Sequence, residues 1–101
     1  MTAQYNFEWD PSKGKSNLRK HRVSFELATT VFRDPRARTV FDEDHDEDEE
    51  RWITLGLSET GTILVVIHTF QLLGTEGAVR IRLVSARRAT SKETRQYEEN
   101  S

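Results

Sequence analysis

The residues best suited to chemistry lie in the stretch Ala78–Thr90, AVRIRLVSARRAT, which carries four arginines. Val79, Ile81 and Leu83 alternate with Arg80 and Arg82, which predicts a strand with one face in a core and two guanidiniums opposite it. Arg87 and Arg88 follow where this strand is expected to stop. Guanidinium forks match phosphate oxygens two at a time, so the stretch reads as a phosphate clamp mounted on a rigid strand. The competing reading is a solvated strand face paired to carboxylates of a neighbouring strand.

A second candidate is the basic segment PSKGKSNLRKHR, where Asn17, Lys20 and His21 fall on one helical face by three- and four-residue spacing. A basic helix is usually a solvated surface, but a histidine beside a lysine offers a group that titrates near neutrality. His68, at the end of an apolar run, reads as a satisfied core or edge residue rather than a catalyst. The acidic run 42–50, DEDHDEDEE, brings carboxylates close to His45. It lacks the glycine turn and ligand spacing of a calcium loop, so a solvated loop is favoured over a metal site.

These groups need elements to hold them. Phe7–Asp10 is a short candidate strand, and Asp10-Pro11 marks a helix start that runs to Arg22. Ser24 caps a second helix, Phe25–Phe32, with Phe25, Ala28 and Phe32 facing a core and Pro35 ending it. Arg38–Asp42 reads as an edge strand. Arg51–Leu57 follows, with Ile53, Leu55 and Leu57 on one face and Trp52 and Thr54 on the other. Thr62–Phe70 is apolar on both faces and so central. The connection QLLGTEG (71–77) fits no short hairpin. Thr90, with Glu93 as its capping-box partner, opens a last helix over 91–99. Short turns between strands predict an antiparallel meander with helices packed on it, an α+β domain.

Bulk properties bound the function. The chain has 101 residues, enough for one domain, and no cysteine, so disulfides and thiolate metal sites are excluded. The opening MTAQYNFEWD has the features of neither a signal peptide nor an anchor, and the longest apolar run, Ile63–Ile67, is too short to span a bilayer. A cytoplasmic location is expected. The net charge of −2 hides an asymmetry, because residues 42–50 hold eight of the 17 acids and leave a basic body against 15 Lys and Arg. Such a body attracts polyanions.

Three motifs in series, FEWDPSKGKSNLRKHRVSFELATTVFRDP, EERWITLGLS and IRLVSARRAT, resemble the BrnT family of type II toxin–antitoxin toxins over Phe7 to Glu99. The resemblance implies a RelE-like fold over residues 1–101 and a ribonuclease that inhibits translation. It also implies a BrnA-like antitoxin with a ribbon-helix-helix domain, whose complex with the toxin represses their operon. Operator DNA is then met only through the antitoxin. The positions matching the family are Lys20 and His21, Glu49, Glu50 and Arg51, Arg82, and Ser85 to Arg87. Arg22 departs from it, standing where the family commonly has glycine; Arg80 is additional, and the 71–77 connection is longer.

A ribonuclease working without cofactor or metal needs a group to take the 2′-hydroxyl proton, charge to stabilise the phosphorane, and a donor for the leaving 5′-oxygen. Arg82 and Arg87 are the candidates for the charge, with Arg80, Arg88, Arg51 and Arg19 binding flanking phosphates. His21 can act as acid or base, Glu50 as base if the fold brings it near Arg82, and Lys20 as phosphate ligand or proton donor. Tyr97 and Ser85 read as structural. The products expected are 2′,3′-cyclic phosphates. The alternative is a non-catalytic basic subunit that binds RNA or antitoxin within a repressor complex.

Overall fold

The computed structural model describes residues 4–43, 50–74 and 76–99. The elements run β1 (Gln4–Glu8), α1 (Pro11–His21), α2 (Phe25–Thr29), a 3-10 turn (Thr30–Arg33), β2 (Arg38–Phe41), β3 (Trp52–Leu57), β4 (Ile63–His68), β5 (Gln71–Leu73), β6 (Ala78–Arg88) and α3 (Ser91–Glu99). Among the described residues no helix is long and apolar enough to cross a membrane. The acidic run, with its metal reading, and with His45 and Glu49, falls largely on residues 44–49, outside the described residues.

The sheet has six strands in the order β1-β6-β4-β3-β2, with β5 also on β6. β2, β3, β4 and β6 pair antiparallel, as the meander predicted. β1, however, pairs parallel to β6, with Glu8 beside Arg82 and Asn6 beside Arg80. The sheet is therefore mixed rather than wholly antiparallel. The pairing joins the chain's first strand to its last, and no local pattern encodes it.

Local signals set the helices. Asp10 Oδ1 accepts from Ser12 N at 2.9 Å at the start of α1, with Pro11 next in line. Ser24 Oγ accepts from Leu27 N at 3.0 Å at the start of α2. The helix expected over Phe25–Phe32 is α-helical only to Thr29. There the Thr30 hydroxyl donates to Leu27 O at 2.7 Å, diverting a carbonyl of the ladder, and the chain tightens into the 3-10 turn. Val23, Phe25, Ala28 and Val31 pack on Leu64, Val66, Ile81, Leu83 and Ala86 to form the core. In β3 the helix-facing residues are Thr54 and Gly56, not the apolar set. A Cβ on Gly56 would stand 3.0 Å from Ala37 Cβ and 3.1 Å from Val31 Cβ, so only glycine lets the turn close on the strand.

Two features of β6 position the candidate site. The first is a bulge: Ile67 pairs with Ser85 and His68 with Leu83, leaving Val84 without a partner. Arg82 and Arg87, five apart, would face opposite sides of a regular strand; the extra residue puts both on the face away from the core. The second is Asn17. β1 accompanies β6 only as far as Arg82, and beyond it the side chain of Asn17 replaces a strand. Ala86 N donates to Asn17 Oδ1 at 3.0 Å, and Asn17 Nδ2 donates to Ala86 O at 2.8 Å and to Val23 O at 2.9 Å.

Asn17 is buried, so truncation strands polar groups that water does not reach. Asn17→Ala should lower the unfolding free energy by about 2–4 kcal/mol in urea titration; a loss below about 0.5 kcal/mol would mean that the edge finds other partners. Arg22 caps α1 in the left-handed region at φ 60°, its N–H donating to Leu18 O at 2.9 Å, the conformation that favours glycine. Arg22→Gly should therefore stabilise by up to about 1 kcal/mol in the same titration.

Candidate active site

The outward face of β6 opens on a cleft of about 390 Å³ lined by Glu8, Glu50, Thr69, Phe70, Gln71, Arg80 and Arg82. Four segments meet here: β6 supplies both arginines, β1 brings Glu8 alongside through the parallel pairing, Glu50 stands two residues before β3, and the junction of β4 and β5 supplies Thr69, Phe70 and Gln71. Arg82 is anchored through its backbone, its carbonyl accepting from Thr69 N at 3.0 Å and its N–H donating to Thr69 Oγ1 at 3.1 Å. Arg80 Nε lies 3.4 Å from Glu8 Oε1, with both side chains about half exposed, and its Nη1 donates to Gln71 Oε1 at 3.4 Å. Pairs this exposed contribute roughly 0–1 kcal/mol.

A second cleft, of about 260 Å³, lies where α1 crosses the bulge and is lined by Lys13, Ser16, Asn17, Lys20, His21, Val84 and Ser85. Lys20 and His21 are thus brought to β6, as their shared helical face required, but into a cleft separate from that of Glu50 and Arg82. The Asn17 bonds to Ala86 hold the two clefts in fixed relation along one strand.

The other arginines divide. Arg87 is held by Glu93 through two bonds, Nη1 to Oε1 at 2.8 Å and Nη2 to Oε2 at 2.9 Å. Glu93 also caps α3, accepting from Thr90 N at 2.8 Å while Thr90 Oγ1 accepts from Glu93 N at 3.1 Å. The Arg87 guanidinium holds the Glu93 carboxyl down to about 2, and Glu93 in turn raises the Arg87 pKa. Arg87 therefore anchors α3. Arg88 is exposed opposite Leu64, about 20–25 Å along the strand from Arg80 and Arg82. Arg51 Nε is buried without a hydrogen-bond partner among the described residues. Arg19 is exposed on α1 and lines neither cleft.

Glu8, Thr69, Phe70 and Gln71 escaped the sequence reading. The alternation of Tyr5 and Phe7 with Asn6 and Glu8 puts Glu8 on a polar face, but the strand beside it is known only from the parallel pairing. His68 is the satisfied core residue expected of it. Its Nδ1 donates to Thr69 O at 2.8 Å, which leaves Nε2 to accept from Thr54 Oγ1 at 2.7 Å, and burial lowers its pKa, keeping the ring neutral. Tyr97, read as structural, donates to Asp34 Oδ2 at 2.6 Å. Burial raises the Asp34 pKa, but bonds from Tyr97, Leu57 N and Arg36 N outweigh it and leave the carboxylate below its ordinary value.

The family model described as "Ribonuclease toxin, BrnT, of type II toxin-antitoxin system" matches residues 9–93. Among solved structures, the crystal structure of the Brucella abortus ribonuclease toxin BrnT is similar in fold. It has a TM-score of 0.58 at 21% identity, covering 88% of this chain and 100% of that one. No curated protein matches the chain.

The Glu93 carboxyl carries a pH signature. Its folded pKa of about 2 lies below the ordinary 4.5, so its stabilisation is full above that ordinary value and lost as pH falls towards 2. Glu93→Gln should lower stability by about 1–2 kcal/mol near neutrality, the range for a partly exposed charge-assisted pair. The gap from wild type should close progressively through the acid range in denaturant titrations at stepped pH. A gap independent of pH would show that the pair does not carry the effect.

Proposed function

The chain belongs to the BrnT family of ribonuclease toxins of type II toxin–antitoxin systems, and from that membership we propose a metal-independent endoribonuclease whose scissile phosphate lies over Arg80 and Arg82. As a toxin of a type II system it has an antitoxin partner. We assign that partner as BrnA-like, with a ribbon-helix-helix domain through which alone the pair meets operator DNA. Residues 1–101 then form one RelE-like toxin domain acting in the cytoplasm, where RNA cleavage inhibits translation.

The observation that carries the mechanism is two carboxylates and two guanidiniums lining one cleft: Glu8, paired to Arg80, and Glu50, with Arg80 and Arg82. Glu50 takes the proton of the 2′-hydroxyl, and that oxygen attacks phosphorus in line with the 5′-oxygen. Charge grows on the non-bridging oxygens, where fixed guanidiniums act without reorganising. The bond to the 5′-oxygen breaks as that oxygen gains a proton from water, leaving a 2′,3′-cyclic phosphate. Lys20 and His21, in the adjoining cleft, hold the next phosphate along, since successive phosphates of a single strand can reach both sides of the bulge. Arg87 contributes through α3 rather than by touching substrate.

The test is cleavage of end-labelled RNA in EDTA by wild type, Arg82→Ala, Glu50→Gln and Lys20→Ala. Wild type should leave 2′,3′-cyclic termini. Loss of Arg82 should slow cleavage by about 10²–10³-fold, and Glu50→Gln by about 10²–10⁴-fold. Lys20→Ala should chiefly weaken substrate binding. Cleavage undiminished in Arg82→Ala would overturn the assignment, and RNA binding without cleavage would make the chain a binding subunit.

A further inference from the structure

Of the five Phe, two Trp and two Tyr in the chain, all but Phe70 make a contact with another ring or with a guanidinium. Phe70 has no such partner among the described residues. It is 46% exposed, and it lines the cleft of Arg80 and Arg82.

Its position is built by a break in the sheet. β4 and β5 keep the same register against β6, His68 opposite Leu83 and Gln71 opposite Arg80, so they are one strand interrupted at Thr69 and Phe70. Carried through unbroken, that register would set Phe70 opposite Ile81, which faces the core. At the break, however, Arg82 N bonds the Thr69 hydroxyl in place of its carbonyl, and that carbonyl is turned to accept from His68 Nδ1 at 2.8 Å. The buried His68 ring thereby holds the turn in the backbone that releases Phe70 from the core-facing alternation. Phe70 adjoins Thr69, which bonds the backbone N–H and carbonyl of Arg82, so the main chains of the two residues are held side by side at the cleft.

We propose that Phe70 is a stacking platform for a nucleobase next to the phosphate held by Arg80 and Arg82. The proposal rests on the ribonuclease reading and names the part of the substrate that the cleft grips besides phosphate. An aromatic face beside cationic side chains is how single strands are bound without demand for a particular base, because every base presents a π-face. Gln71 supports the arrangement: its Oε1 is turned to Arg80, which directs its amide N–H groups away from that arginine. The apolar connection after β4 thus forms the wall of the cleft that holds the base.

The experiment measures equilibrium binding of a short, uncleavable 2′-O-methyl RNA and of an abasic chain of the same length and charge. Phe70→Ala should weaken binding of the base-bearing chain by about 5- to 100-fold and leave the abasic chain unchanged. Phe70→Trp should restore the loss, and circular dichroism of each variant checks its fold. Equal losses on both chains, or no loss on either, would overturn the platform, as would a wild type that binds both chains equally well or neither. Cleavage is scored separately. Base-dependent binding through Phe70 without any cleavage would sink the ribonuclease reading and keep the platform.

Discussion

The architecture depends on how the edge of β6 is satisfied after β1 ends. The edge of a strand packed on the core leaves a row of N–H and C=O groups that must be bonded. Beyond Arg82 one edge of β6 has no strand beside it, and the Asn17 carboxamide bonds both polar groups of Ala86, as a strand would. One side chain thus closes the sheet, fixes the roll of α1 and brings Lys20 and His21 to the bulge. The same bonds reach Val23 O, so the turn leaving α1 is set with them.

Charge is partitioned along β6 by how completely each guanidinium is already satisfied. Arg87 makes two short bonds to a carboxylate that also caps a helix, and an incoming phosphate would have to replace both functions of Glu93. Arg80 makes two long contacts of 3.4 Å, with an exposed Glu8 and with Gln71. The guanidinium of Arg87 is thus bound more tightly than that of Arg80. The competing reading of the arginines, pairing with carboxylates of a neighbouring strand, is thus realised in part by Glu8.

A polar chain links the core to that same end. Thr39 and Thr54 hydroxyls meet at 2.7 Å, Thr54 bonds the neutral ring of His68, and the ring holds the carbonyl of Thr69. Burial lowers the His68 pKa, which favours the neutral ring that accepts from Thr54 and donates to Thr69. Its function is geometric: it maintains the interruption between β4 and β5 on which the shape of the cleft depends.

What the sequence by itself determined was everything with a local cause. Asp10-Pro11, Ser24 and the Thr90–Glu93 box start helices through bonds made within three residues. The apolar run of β4 identifies the central strand, and the period-two pattern puts Arg80 and Arg82 on one face. The bulge left a trace, since the buried positions shift from Val79, Ile81 and Leu83 to Ala86, a change of phase that only an extra residue explains. Tertiary structure alone decided the partners. Glu8 reaches Arg80 through a parallel pairing of the first strand with the last, and Glu50, just before β3, lines the same cleft as the arginines although β4 lies between β3 and β6. Arg87 is withdrawn from the cleft by a helix that follows it. Phe70 is freed from the core by a histidine two residues before it. Each of these turns on which groups meet across the sheet, and spacing along the chain carries that information only where both partners lie within a few residues.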